Sequence, residues 1–141
     1  MTLKVKRLVP NAKLPIYATL HDAGMDLYSS KTIILSPGQR VTVPTGVAVA
    51  IPKGYVGLIW DKSGIAFNGG LKTLGGVIDS GYRGEIGVII QNLSLKEYTI
   101  QEGKKIAQML VQKIEQKEII EVDSLDETDR GSGGFGRTGL D

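Results

Sequence analysis

Short apolar stretches rich in Val and Ile, each closed off by Gly, Pro or small polar residues, run through most of this chain, and that rhythm constrains the fold more than any other feature. Strands need only a few residues between turns, whereas a helix needs a longer uninterrupted run. Nineteen glycines in 141 residues would interrupt helices throughout. The expected class is therefore all-β, in a single domain over residues 1–141, a length sufficient for one real core. Leu3 to Val9 alternate as a first strand. Thr32 to Leu35 and Arg40 to Val43 flank a Ser36-Pro37-Gly38-Gln39 turn. Val47, Val49 and Ile51 share one face, with Ala48 and Ala50 on the other, before Pro52-Lys53-Gly54 turns the chain into Tyr55 to Trp60. Ile86, Val88 and Ile90 form a buried face with Ile89 opposite, and Gln91 to Leu95 make the next turn.

Ile106, Leu110 and Ile114 satisfy both helical and strand spacing. Ile106 to Ile114 is assigned as a strand, because its neighbours are β and Gly103-Lys104-Lys105 supplies no helix cap. Glu118 to Val122 is a final strand candidate, and the one short helix expected starts near Ser63 and runs toward Phe67. Beyond Leu125 core residues are few and glycines many, so residues 126–141 are expected to be a mobile tail until something orders them.

Charge and composition narrow the function. Seventeen basic and fifteen acidic residues leave +2, with no broad drive toward nucleic acid or an anionic membrane, so any positive charge that matters must be local. Without cysteine there are no disulfides or thiolate metal sites, and His21 alone cannot build a multi-histidine site within one subunit. The N-terminus lacks a signal-like apolar run and no segment is long enough to span a bilayer, which predicts a soluble, cytoplasmic protein.

Five stretches carry chemical possibilities. Gly75 to Gly84 reads as a hairpin in which Gly75 and Gly76 permit close approach to the backbone, Val77 and Ile78 can bury, and Ser80-Gly81 turns the chain. Asp79 could orient or deprotonate a water and Tyr82 could stack under a ring, although an Asp in such a place can simply bond its own turn. Ala23 to Ser29 contains Asp26, which could hold a hydrated Mg2+ or cap a turn, with His21 nearby. Asp61-Lys62-Ser63-Gly64 opens the short helix and could cradle phosphate through backbone N–H groups, a lysine and a hydroxyl, while Asp61 or Ser63 could equally be an N-cap. Trp60, just before, is read as packing. Gln108, set between Ile106 and Leu110, needs hydrogen-bond partners that are structural or a ligand's oxygens. In the tail, Gly131, Gly133 and Gly136 match G-x-G-x-x-G formally, but the βαβ context that gives that pattern meaning is missing. What remains is a glycine strand bearing Arg130, Phe135, Arg137 and Thr138, suited to fold over a phosphorylated, ring-bearing ligand.

Taken in order, these segments resemble the five motifs of the homotrimeric deoxyuridine triphosphatases, the dUTPases: Ala23 to Ser29, Lys62 to Ala66, Gly76 to Gly84, Gly103 to Met109 and Arg130 to Gly139. The resemblance spans nearly the whole chain. It implies a jelly-roll-like β-barrel, a homotrimer whose active sites draw on all three subunits, and a tail that closes a neighbour's site. It also implies hydrolysis of dUTP to dUMP and pyrophosphate by Mg2+-assisted attack of water on the α-phosphorus, which removes dUTP from the nucleotide pool and supplies the dTTP precursor. By position, Asp79 would activate the water and Asp26 would hold the metal through its water shell. Gly76, Val77 and Ile78 would read the uracil edge, and Tyr82 would pack beneath the deoxyribose. Lys62, Ser63, Gly64 and Gln108 would meet the phosphates, Arg130 would reach the γ-phosphate, Phe135 would stack on uracil, and Gly136 and Thr138 would help hold the triphosphate.

Three departures stand out. Lys62 replaces a common Arg, so a forked phosphate contact becomes a point charge. Arg137 replaces a common Ser, and Thr73 lies about where some relatives use Asn to read uracil. The alternatives are a dCTP deaminase-like enzyme or a non-catalytic nucleotide-binding trimer. The deaminases place a Glu three residues before an Asn on the strand after the hairpin, and counting back from Asn92 gives Ile89, which cannot shuttle protons.

Overall fold

A computed structural model describes residues 1–139; the last two positions of the expected tail, Leu140 and Asp141, lie outside the described residues. Ten strands and one helix follow in the order β1 (Lys4–Arg7), β2 (Met25–Tyr28), β3 (Ile33–Leu35), β4 (Arg40–Ala50), β5 (Tyr55–Trp60), α1 (Ser63–Gly69), β6 (Leu71–Leu74), β7 (Val77–Ile78), β8 (Glu85–Asn92), β9 (Tyr98–Ile100) and β10 (Lys105–Lys113). One antiparallel sheet runs β1-β4-β8-β6, a second β2-β10-β5-β7, and β3 pairs with β9 as a separate ribbon. Leu27, Ile59, Ala107 and Met109 of the second sheet and Val43, Val49, Ile86, Val88 and Ile90 of the first bury into one continuous core. The architecture is the expected all-β, jelly-roll-like one, with the two large sheets hydrogen-bonded separately and not joined edge to edge into a closed ladder.

β8 behaves as its alternation predicts, with Ile86, Val88 and Ile90 fully buried and Ile89 on the other face half-buried. It extends through Asn92, so the turn expected from Gln91 starts later, held by the buried Asn92 amide donating to the Leu35 and Lys96 carbonyls. The expected pair of strands over 40–51 is one strand, β4, whose register against β8 shifts between Pro44 and Ala48. Pro44 has no N–H for the ladder and Gly46 takes a positive φ of 72°, so the irregularity falls where the sequence permits it. The Thr45 hydroxyl, buried there, donates to the Ile86 carbonyl at 2.6 Å.

Three expectations are corrected. Val77-Ile78 does not pair with the strand after the turn: β7 adds to β5 in the second sheet, while β8 pairs with β6 in the first, so the Gly75 to Gly84 segment crosses between sheets. In β10 a bulge between Lys105 and Ala107 puts Ala107 and Met109 on the core face, leaving Gln108 and Leu110 half-buried on the other. Glu118 to Val122 forms no strand, because among the described residues no strand edge of its own chain lies alongside, and an unpaired strand leaves its backbone groups unmatched. The last backbone hydrogen bond from this arm to the body is Ile114 N–H to the Gly54 carbonyl, and Ile119 beyond it is 95 % exposed. The short helix is where it was expected; Gly70, at φ 66°, ends it in a left-handed turn.

Candidate active site

The register of the second sheet brings three of the five motifs together. Gln108 lies opposite Asp26 on one side and opposite Trp60 on the other, so a single row across β2, β10 and β5 aligns the first motif, the fourth, and the residue two before Lys62. The Gln108 amide donates to the Asp61 carbonyl at 2.8 Å, which fixes the entry to α1 against β10. Gly24 permits this packing: a Cβ there would sit 2.5 Å from the Gln108 Oε1. Lys62 is the residue before α1, extended at φ −89°, ψ 122°, and no side chain caps the helix. Ser63 and Gly64 are exposed at the helix start, with the Ser63 hydroxyl uncommitted among the described residues.

Asp61 is a residue whose role the sequence did not single out. Its carboxylate caps nothing; it accepts from the Thr73 N–H at 2.7 Å and from the Lys72 ammonium at 2.6 Å, tying the end of β5 to β6. No local spacing advertises a partnership eleven and twelve residues apart. Burial would raise the Asp61 pKa, but Lys72 and the Thr73 N–H outweigh it and hold it below the ordinary value. Trp60 does not pack as expected: it is 54 % exposed at the end of β5.

Asp26 is the most buried charged side chain in the region, at 1 % exposure. One oxygen meets the Lys62 Nζ at 2.7 Å and the other the Lys105 Nζ at 3.0 Å, and these are its only side-chain partners among the described residues. Burial would raise its pKa; the two ammoniums more than offset this and lower it, while Asp26 in turn raises that of Lys105. This bears on metal binding. No group of three His, Cys, Asp or Glu side chains able to hold an ion occurs among the described residues, and the Asp26 carboxylate has a lysine ammonium against each of its oxygens. The described residues alone thus offer no direct Mg2+ site here.

The Asp79 segment is separately built. Gly75 and Gly76 take φ of 65° and 98°, and Gly76 accepts from the Ile59 N–H at 2.8 Å. Asp79 starts a turn closed by the Tyr82 N–H at 3.1 Å, and its exposed carboxylate has no partner among the described residues. The Tyr82 hydroxyl donates to the Glu85 carbonyl at 2.7 Å, its ring packed where only a glycine at position 84 leaves room. Val77 and Tyr82 are exposed, and Ile78 is half-buried.

These two halves do not meet within one chain. Gly57 faces Ile78 and Leu58 faces Val77, which puts Asp79 level with Val56 at one end of β5, whereas Gln108 is level with Trp60 at the other. Four residues of strand separate these levels, about 13 Å at roughly 3.3 Å per residue, and Lys62 lies further on. The tail is also apart: Phe135 is fully exposed, and Arg130 folds back to donate to the Gly133 carbonyl at 2.7 Å. Gly136 and Thr138 are exposed in the same looped segment.

The family model for dUTPase matches residues 10–139. The deoxyuridine 5'-triphosphate nucleotidohydrolase of Mycolicibacterium gilvum is 50 % identical over 146 residues, covering 98 % of this chain and 95 % of that protein. A variant dUTPase of Staphylococcus bacteriophage 80alpha, solved with dUpNHpp, superposes with a TM-score of 0.95 at 32 % identity, covering 99 % of both chains. A variant dUTPase from phage phi11 of S. aureus, described as revealing the coordination of a structural Mg(II) ion, has a TM-score of 0.86 at 31 % identity, covering 90 % of this chain and 100 % of that one.

Proposed function

The chain belongs to the dUTPase family, and on that premise we infer that it hydrolyses dUTP to dUMP and pyrophosphate, removing dUTP from the nucleotide pool and supplying the dTTP precursor. The full-length match to dUTP nucleotidohydrolases carries this reading. Lys62, Ser63, Gly64 and Gln108 bind the phosphates. Gln108 stands level with Trp60 and Lys62 follows two residues on, and a lysine, a hydroxyl uncommitted among the described residues and an amide are donors matched to phosphate oxygens. Asp79 accepts the proton of the attacking water; its carboxylate, free of partners, is available for that. Gly76, Val77 and Ile78 read the uracil edge, in a slot that excludes a thymine methyl, and Tyr82 lies beneath the sugar.

The separation of Asp79 from the phosphate-binding row argues that a complete site needs more than one copy, and we assign the homotrimer of the family resemblance, with Asp79 from one subunit facing Gln108 of another. The tail, with no backbone hydrogen bond to its own body beyond Ile114 among the described residues, crosses to a further copy, where Arg130, Phe135, Gly136 and Thr138 close on the triphosphate and base. Mg2+ would be held chiefly by the triphosphate's own oxygens, since no cluster of three acidic or histidine ligands occurs among the described residues. When bound it would neutralise phosphate charge, and Asp26 is the residue that would hold it through its water shell. The test is pyrophosphate release from equal dUTP, dCTP, dTTP and UTP with Mg2+ present. Release from dUTP alone is expected; release from none, or ammonia from dCTP, overturns the reading.

A further inference from the structure

Beside the phosphate-binding row lies a cavity of about 630 Å³ to which no role has yet been given, lined by Lys13, Tyr28, Lys62, Tyr98, Lys104 and Lys105. Four lysines in one concavity are unexpected in a chain whose net charge is only +2. Their counter-charge is scarce. Asp26 alone serves both Lys62 and Lys105, and neither Lys13 nor Lys104 has an acidic partner among the described residues. The neighbouring carboxylates are engaged elsewhere: Glu102 accepts from the Asn11 amide, and Asp22 from the Thr19 N–H and hydroxyl.

The cavity is also pre-shaped. Lys13 donates to the Gly103 carbonyl at 2.9 Å with its ammonium 5.4 Å from the Tyr28 ring centroid, so its charge is held in place before any anion arrives. Gly103, at φ 80°, makes this possible, since a Cβ there would stand 3.2 Å from the Lys13 Nζ. One ammonium held in place, with three more lysines around the same hollow, suits a compact polyanion with oxygens on more than one side better than a single phosphate. The cavity is lined in part by Lys62 and Gly64, so it opens beside the residues assigned above to the phosphates.

We propose that this basin is a second anion site that receives the departing pyrophosphate, with Lys13 and Lys104 as the residues that hold it outside the triphosphate-binding row. The inference rests on the dUTPase reading for the source of the ligand, but not for the binding itself. On this view Lys62 and Lys105 hand the anion outward while Asp26 recaptures them, which clears the row for the next nucleotide.

The full chain is titrated with inorganic pyrophosphate by calorimetry, alongside Lys104→Ala, the double variant Lys13→Ala/Lys104→Ala, and Lys53→Ala as an exposed lysine elsewhere. The Lys104 side chain makes no hydrogen bond or ion pair among the described residues, and its backbone bonds to Ser29 and Gln101 survive truncation, so Lys104→Ala leaves the fold intact even where loss of the Lys13 bond to Gly103 does not. The expected result is pyrophosphate affinity lowered about threefold in the single variant and about tenfold in the double, with Lys53→Ala unchanged, as for loss of exposed charge-assisted contacts. Product inhibition by pyrophosphate weakens in parallel while KM for dUTP stays within about twofold. Unchanged pyrophosphate affinity in the double variant overturns the proposal, as does a rise in KM equal to the rise in the inhibition constant, because the lysines then belong to nucleotide binding. Orthophosphate binding as tightly as pyrophosphate also overturns it, reducing the basin to a nonspecific anion sink. Failure to hydrolyse dUTP, with pyrophosphate binding intact and lysine-dependent, would count against the family reading alone.

Discussion

Replacing Gly76 by alanine tests how the segment carrying Asp79 is held. Gly76 sits at φ 98°, outside even the left-handed well that L-residues sometimes enter, and a Cβ would stand 2.9 Å from the Ile59 carbonyl oxygen, a backbone atom that cannot swing aside. Holding a non-glycine residue in such a conformation costs about 1–3 kcal/mol. Relieving the clash means separating β7 from β5, which also loses the 2.8 Å bond from the Ile59 N–H to the Gly76 carbonyl, about 0.5–1.5 kcal/mol. Together these predict a destabilisation of roughly 2–4 kcal/mol. Urea unfolding of the variant and parent at one protein concentration reads the stability, and kcat/KM for dUTP reads the displacement of Val77, Ile78 and Asp79. A loss below about 0.5 kcal/mol, the ordinary effect of an unstrained surface substitution, would refute the claim that backbone conformation fixes this segment.

Gly24→Ala pushes a Cβ into the Gln108 side chain and breaks its bond to the Asp61 carbonyl; stability falls by about 1 kcal/mol while kcat/KM for dUTP falls about tenfold or more, measured by denaturation and steady-state kinetics. Asp26 has a folded-state pKa below the ordinary 3.8, so its ion pairs stabilise the protein above pH 3.8 and that contribution is lost as pH falls through the lower folded value. Asp26→Asn is therefore less stable than the parent by about 1–3 kcal/mol near pH 7, and the gap in Tm narrows below pH 3.8; a gap independent of pH contradicts the ion-pair account. Deleting residues 130–141 leaves Tm within about 2 °C, because residues 130–139 are exposed apart from the half-buried Gly133, yet lowers kcat/KM by about a hundredfold if the tail closes the site.

Patterns internal to one segment were legible in the sequence: the alternation of β8, the start of α1 and the five motifs. What was not legible depends on distant partners. The Ile106 to Ile114 periodicity could not reveal the bulge beside Lys105, because a one-residue irregularity reverses which face is buried without changing composition. The Gly75 to Gly84 stretch has the residues of a hairpin, but β6, four residues long and unremarkable, competes successfully for β8 and sends β7 to the other sheet. Asp26 stood out as a candidate metal residue or turn cap, while its two lysine partners, 36 and 79 positions away, emerged only once β2 and β10 were paired. Glu118 to Val122 has strand composition and no strand partner among the described residues, and composition cannot supply one.

That division of the site between copies is tested most directly by complementation. Asp79→Asn lacks the base and Gln108→Ala lacks a phosphate contact, so each alone is expected to be nearly inactive toward dUTP. Unfolded together at equal amounts and refolded, random mixing gives about one site in four that pairs an intact Asp79 with an intact Gln108 from different chains. The account predicts recovery of roughly a quarter of the parent activity in the mixture. Activity no higher than the average of the two variants would contradict it, placing Asp79 and Gln108 of each working site on the same chain.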